Sequence, residues 1–189
     1  VNLKHEIILD FENSIRHSSK NYVKTKNGYR ISTYPIYVRD TQKMMGMENC
    51  RPVATPGVAA KSMEEQLADE KKLGSEDHHL FMRGTGRVQW LAEDRSEVQY
   101  PLKTCSRELQ APTEGSMMRL KRIIRFLAGK PGTTLIYELE NGMPRIIDVF
   151  VDSDWAKERS TRKSSSSISI QIGGCPIMNM TKTQGVVAL

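Results

Sequence analysis

Aromatic residues make up only 6% of the 189 positions, and hydrophobic residues only 38%. That suits a globular chain with a modest core rather than one built around a large apolar interior. Cysteine is scarce too. Cys50, Cys105 and Cys175 are odd in number and far apart, with no Cys-x-x-Cys among them. His5, His17, His78 and His79 do not complete a zinc pattern with them. A disulfide framework and a zinc module are therefore excluded as organising principles, and reduced thiols in an intracellular setting are expected. No apolar run approaches the ~18 to 20 residues of a membrane span, so no membrane partner is expected. No charged, apolar, small-residue signal opens the chain. Val1 is not an initiator Met, and the chain is expected to be a piece of something longer.

What is plentiful is positive charge. Lys and Arg number 28 against 22 Asp and Glu, a formal net charge of +6, with a pI near 9.3. That balance favours a polyanionic partner such as nucleic acid.

The pattern of elements points to an α+β chain. Residues 5–9 and 28–32 read as strands, with Lys26-Asn27-Gly28 as a turn, and Pro35 to Met45 reads as a helix closed by Gly46. Residues 57–77 are small, charged and weakly patterned, a connector with at most one frayed helix. Residues 78–129 look helical. Gly84 and Gly86 either permit close packing there or break the helix. Val98, Leu102, Cys105 and Leu109 form a helical stripe, and Thr113 is a candidate N-cap. On the next helix Met117, Leu120, Ile123, Ile124 and Leu127 fall on one side. Arg119, Arg122 and Arg125 recur every three residues on another, near Lys121. Such a stripe is either the solvated face of a packed helix or a track for phosphates. Thr133 to Leu139 reads as a strand, with Asn141-Gly142 as a hairpin signal before Ile146 to Val151. Ile168, Ile170 and Ile172 alternate with Ser167, Ser169 and Gln171, a half-buried strand turned back by Gly173-Gly174. Residues 146–181 are thus expected to form a three-stranded antiparallel meander.

The stretch from Val149 to Ala156 carries the chemistry. Asp152 and Asp154 follow an apolar strand and are two residues apart, so they share a face if the strand runs through both. Paired hard oxygen ligands suit Mg²⁺ or Mn²⁺; the plainer reading is a solvated acidic pair at a strand end.

Several motifs occur in a fixed order. VDSDWA is followed by basic residues, SSSSIS, a Gly-Gly turn and KTQGVVAL. This series resembles the ribonuclease H region of copia-like retrotransposon Pol polyproteins, with its SDADWA, STSG and KKQ-VALSS. Upstream, GMENCRPVATP resembles the family's GM-x-x-CKPV-x-TP. GRVQWLA, CSRELQAPT and LKRIIRFLAGKPGTTLIYE resemble its G-x-LLYLA, LSR-x-P and AKRILRYLKGT-x-GL-Y. The likeness runs from about Gly28 to the last residue. The chain departs from the family at DRSEVQYP, where RPDI is usual, and at SSSSIS.

The resemblance implies four segments. Residues 1–56 would be the end of a reverse transcriptase, 57–77 a connector, 78–132 a helical thumb or connection segment, and 133–189 the start of a truncated ribonuclease H-like domain. It implies Asp152, and less firmly Asp154, as catalytic and metal-binding carboxylates for Mg²⁺ or Mn²⁺. An RNA–DNA hybrid is the implied partner, with Arg119, Arg122 and Arg125 as candidate contacts, beside the remainder of the Pol polyprotein. The parent would copy RNA into DNA and cleave the RNA of hybrids. This chain carries neither the family's YVDD nor its later carboxylate-bearing helix, and is expected to be inactive alone. Two alternatives are a non-catalytic nucleic-acid-binding or assembly module derived from such an element, and an unrelated basic α/β binding module.

Overall fold

The structure, a computed structural model, describes residues 14–17, 20–58, 63–138, 146–155 and 162–187. In chain order these form β1 (Ser14–His17), β2 (Lys20–Thr25), β3 (Gly28–Thr33), α1 (Pro35–Met44), α2 (Met63–Ala68), α3 (Ser75–Leu91), α4 (Ser96–Arg107) and α5 (Glu114–Gly129). Four more strands follow: β4 (Thr134–Glu138), β5 (Ile147–Ser153), β6 (Lys163–Ile172) and β7 (Cys175–Val187). The expected mixture of helices and antiparallel strands is present; the strand expected at residues 5–9 lies outside the described residues.

Each helix has local reasons to begin and end where it does. Pro35 opens α1, where its missing N–H costs nothing. Gly46 closes α1 at φ +63, and the Met47 amide reaches back to the Gln42 carbonyl at 2.7 Å, a glycine-centred C-terminal cap. Thr113 caps α5 as expected. Its Oγ1 accepts from the Ser116 amide at 3.1 Å, and its own amide donates to Ser116 Oγ at 2.9 Å, a reciprocal pair. The segment read as a connector contains α2, and its Glu65 and Asp69 take part in the site described below.

The core lies among α1, α3, α4 and α5. Phe81, Val88, Val98, Cys105, Leu120, Ile123 and Ile124 are all fully buried there. Gly84 packs closely instead of breaking α3: an added Cβ would meet Leu120 Cδ2 and Met45 Sδ, each at 2.9 Å, whereas Gly86 faces open space. Pro101 sits inside α4.

Burial also sets the chemistry of Cys105. Loss of solvent, with the Glu108 carboxylate as a smaller contribution, pushes its thiol from 9.0 up to about 12. The unfolded chain therefore releases this proton first as pH rises. The stability it represents is whole below pH 9.0 and is lost as pH climbs toward about 12. An alkylating reagent at pH 8 is expected to label half-buried Cys50 and spare Cys105 in the native chain. Equal labelling rates at both would contradict that burial.

The strands form two antiparallel sheets, ordered β1-β2-β3-β4 and β5-β6-β7. The expected meander over 146–181 is thus present. The expected hairpin between β4 and β5 is not: β4 pairs with β3, Ser32 opposite Thr134, and so completes the first sheet. Asn141 and Gly142 themselves lie outside the described residues. The pull on β4 is the open edge of β3, whose Tyr29 and Ile31 face Tyr137 and Leu135 across the strands.

In the second sheet the register sets Ile147, Val149 and Val151 opposite Ile172, Ile170 and Ile168. Met178 and Met180 continue those rows on β7. Side chains opposite one another share a face, so one face is aliphatic. Every residue of β5 is exposed, with Val151 67% and Phe150 57% open on opposite faces.

Candidate carboxylate site and basic helix

Asp152 lies near the end of β5, opposite Ser167. It is exposed, and its carboxylate makes no hydrogen bond or ion pair among the described residues. Asp154 is different. The strand proper stops at Ser153, yet the Asp154 amide donates to the Ser165 carbonyl at 3.0 Å. Its Oδ1 accepts from the Ser165 amide at 2.6 Å, taking the place a backbone carbonyl would have in the ladder. Oδ2 accepts from the Tyr100 hydroxyl at 3.4 Å. Asp154 therefore ends the β5–β6 ladder, and the two acids are not a matched pair of open carboxylates.

A two-ion site needs several converging acids. Among the described residues no group of three His, Cys, Asp or Glu stands where it could hold a metal ion. Asp152 has the right chemistry for one ligand position; the described residues together do not fit two ions.

The basic stripe of α5 also divides. Arg119 faces inward, its side chain 15% exposed. Its Nη1 donates to Glu65 Oε1 and Asp69 Oδ1, both at 2.9 Å, and its Nη2 to both oxygens of Glu108 at 2.8 and 2.7 Å. Burial by itself would lower its pKa; the hydrogen bonds to Glu108 and Glu65 outweigh that and hold the guanidinium above its ordinary range. With three carboxylates around it, Arg119 is a structural cation that joins α2 and the α4–α5 connection to α5, and it has no open fork for a phosphate.

Arg122 and Arg125 sit on the outer side. Arg122 Nη2 donates to Thr55 Oγ1 at 3.0 Å, and Arg125 Nε donates to the Arg51 carbonyl at 2.8 Å. Both contacts are exposed and use one nitrogen of each guanidinium, so part of each fork's five N–H donors is uncommitted to those two oxygens, although Arg122 Nε is itself buried. They draw the Arg51–Thr55 loop onto α5, so exposed Arg51 and Lys121 join the same surface. Sequence reasoning missed Arg51, whose place in this patch depends on a loop contact 74 residues away. It also missed the acids around Arg119, although Glu65 and Asp69, four residues apart, carry the spacing of one helical face.

The chain is thus a mixed α/β protein in which a helical body stands beside a short antiparallel sheet whose strand β5 carries the exposed Asp152. The retrovirus-related Pol polyprotein from transposon RE1 of Arabidopsis thaliana is 31% identical to it over 152 residues, covering 80% of this chain and 10% of that protein. The retrovirus-related Pol polyprotein from transposon TNT 1-94 of Nicotiana tabacum is 26% identical over 158 residues, covering 81% and 12%. An uncharacterised mitochondrial protein of Arabidopsis thaliana is 25% identical over 162 residues, covering 80% and 63%. No family model and no solved structure matches. The chain spans about a tenth of the transposon polyproteins it matches. It is similar to retrovirus-related Pol polyproteins of transposons, consistent with the copia-like resemblance of its ordered motifs. No helix among the described residues is long and apolar enough to cross a membrane.

Proposed function

We propose that this chain is the part of a retrotransposon Pol polyprotein that joins the end of a reverse transcriptase to the first strands of a ribonuclease H-like domain. The observation that carries the reading is the β5–β6–β7 meander with Asp152 open to solvent near the end of β5, in a chain similar to such polyproteins. In this reading Asp152 is the carboxylate the chain contributes to a Mg²⁺ or Mn²⁺ site, and the other ligands come from the rest of the polyprotein. Arg122 and Arg125, with Arg51 and Lys121, hold the phosphates of an RNA–DNA hybrid. Arg119 acts only by fixing the helix that presents them.

The test is a salt titration of hybrid binding by the 189-residue chain. Replacing Arg122 and Arg125 together by Ala is expected to weaken binding and to reduce the slope of log affinity against log salt by roughly 1 to 2, one unit or less for each phosphate no longer neutralised. Slopes that coincide for variant and parent would remove both residues from the interface. The same samples in Mg²⁺ or Mn²⁺ are expected to leave the RNA strand intact. Cleavage that disappears in Asp152→Asn would show that this chain holds a working site by itself.

A second reading is a non-catalytic nucleic-acid-binding or assembly module descended from such an element. The commitment of Asp154 to the backbone of β6 favours it, since that leaves only Asp152 of the two acids at the end of β5 open. It predicts that Mn²⁺ changes hybrid affinity equally in the parent and in Asp152→Asn, through competition for the phosphates alone, whereas the first predicts higher affinity in Mn²⁺ for the parent than for Asp152→Asn.

A further inference from the structure

The helix α4 touches the second sheet beside the end of β5 that carries the exposed Asp152. Lys103 Nζ donates to Ser165 Oγ. The Tyr100 hydroxyl donates to Asp154 Oδ2 at 3.4 Å. One turn away, Gln99 Nε2 is shared between the Ala92 carbonyl at 3.0 Å and the Asn179 carbonyl of β7 at 3.1 Å. Positions 99, 100 and 103 lie on one side of a helix, so a single face of α4 reaches β7, the start of β6 and the residue that ends β5.

Ser165 and Asp154 are themselves bonded twice, through the Asp154 amide to the Ser165 carbonyl and the Ser165 amide to Asp154 Oδ1. Asp152 stands two residues before this junction on β5, a free edge strand exposed on both faces. An edge strand with so little packing of its own takes its position from its partner strand and its end contacts.

The geometry points to Lys103 and Tyr100 as positioning residues that, through the Asp154–Ser165 junction, hold the Asp152 end of β5 in register with the helical body. This rests on the proposed role of Asp152 and adds to it the side chains that set its place. Lys103 is the principal member: it lies against the buried Ser164–Ser165 stretch near the start of β6, whereas the Tyr100 bond is longer and exposed. Since α4 is also built into the helical core through Val98, Leu102 and Cys105, the clamp ties the carboxylate to the body that carries the basic surface of α5.

Amide hydrogen exchange followed by NMR on the 189-residue chain reads the clamp. Lys103→Ala, and more so the double variant Tyr100→Phe/Lys103→Ala, is expected to speed exchange at the Asp154 and Ser165 amides by about threefold to tenfold, the scale of one or two lost hydrogen bonds. Amides around Ile170 in mid-strand are expected to keep their rates, and Lys103→Arg to keep the parent rate at both junction amides. Unchanged exchange at Asp154 and Ser165, or a rise spread equally along β6, overturns the clamp.

A Mn²⁺ titration of the same samples tests the link to Asp152. Paramagnetic broadening at the Asp152 amide is expected in the parent and is expected to fall about threefold or more in Lys103→Ala. Broadening that is present and undiminished in that variant overturns the positioning role. Broadening absent from the parent overturns the metal reading of Asp152 itself, and the exchange rates then decide the clamp independently.

Discussion

Arg119→Met is expected to cost about 3 kcal/mol of folding stability, read as a fall in the urea midpoint. Removing one partner of a buried ionic network typically costs about 3 to 5 kcal/mol, because the other charges stay behind unpaired. Here three carboxylates stay behind: Glu65, Asp69 and Glu108 all bond the one guanidinium. The lower end of that range applies because Asp69 and Glu108 are 22% and 30% exposed and keep some water. Arg119→Lys retains the charge but not the planar fork that meets both oxygens of Glu108, so it is expected to recover only part of the loss. A cost below about 0.5 kcal/mol for Arg119→Met would place the network among ordinary solvated ion pairs. That result would also reopen Arg119 as a phosphate contact.

Leu120→Ala is expected to cost about 3 to 4 kcal/mol, within the range for emptying a fully buried leucine site. The more telling measurement is its coupling to Gly84. In the parent core the methyl of Gly84→Ala would press on Leu120 Cδ2 and Met45 Sδ, which offsets the roughly 1 kcal/mol of helix propensity that alanine gains over glycine. In Leu120→Ala one of those two neighbours is gone and the methyl enters the vacated space. The double variant should therefore be more stable than the sum of the singles by about 1 kcal/mol. Strict additivity would mean that α3 and α5 do not meet at this point.

Where local patterning decides structure, the sequence was a sufficient guide. Pro35 and Gly46 bracket α1, Thr113 caps α5, and the Ile-Ser alternation from Ser167 to Ile172 lies in β6. Those features depend on neighbours within a few residues, where capping, turn chemistry and side-chain period operate. The fate of β4 was not legible, because Asn141-Gly142 is a local hairpin signal and the open edge of β3 is a tertiary one. The candidate site was half legible for the same reason. A three-residue spacing placed Arg119, Arg122 and Arg125 on one helix, but not which of them turned toward Glu65, Asp69 and Glu108. Likewise Asp-x-Asp spacing identified two acids at a strand end. It could not tell that one would serve as a substitute carbonyl for Ser165, since that depends on a strand eleven residues away in sequence.

The pairing of β3 with β4 has a kinetic consequence. Ser32 and Thr134 hydrogen bond across a sequence separation of 102 residues, with all five helices between them. The hairpin of β2 and β3 closes locally through Lys26-Asn27 as soon as it leaves the ribosome. At about 5–20 residues per second, the strand that completes the sheet follows only after roughly 5–20 s of synthesis. During that interval the outer edge of β3 carries unpaired amides and carbonyls, open to any extended segment of a neighbouring nascent chain. Docking of α3, α4 and α5 into their shared core shortens the path between the two strands and brings residues 134–138 to that edge, so the sheet that the β2–β3 hairpin begins is completed by β4 only once the helices have docked.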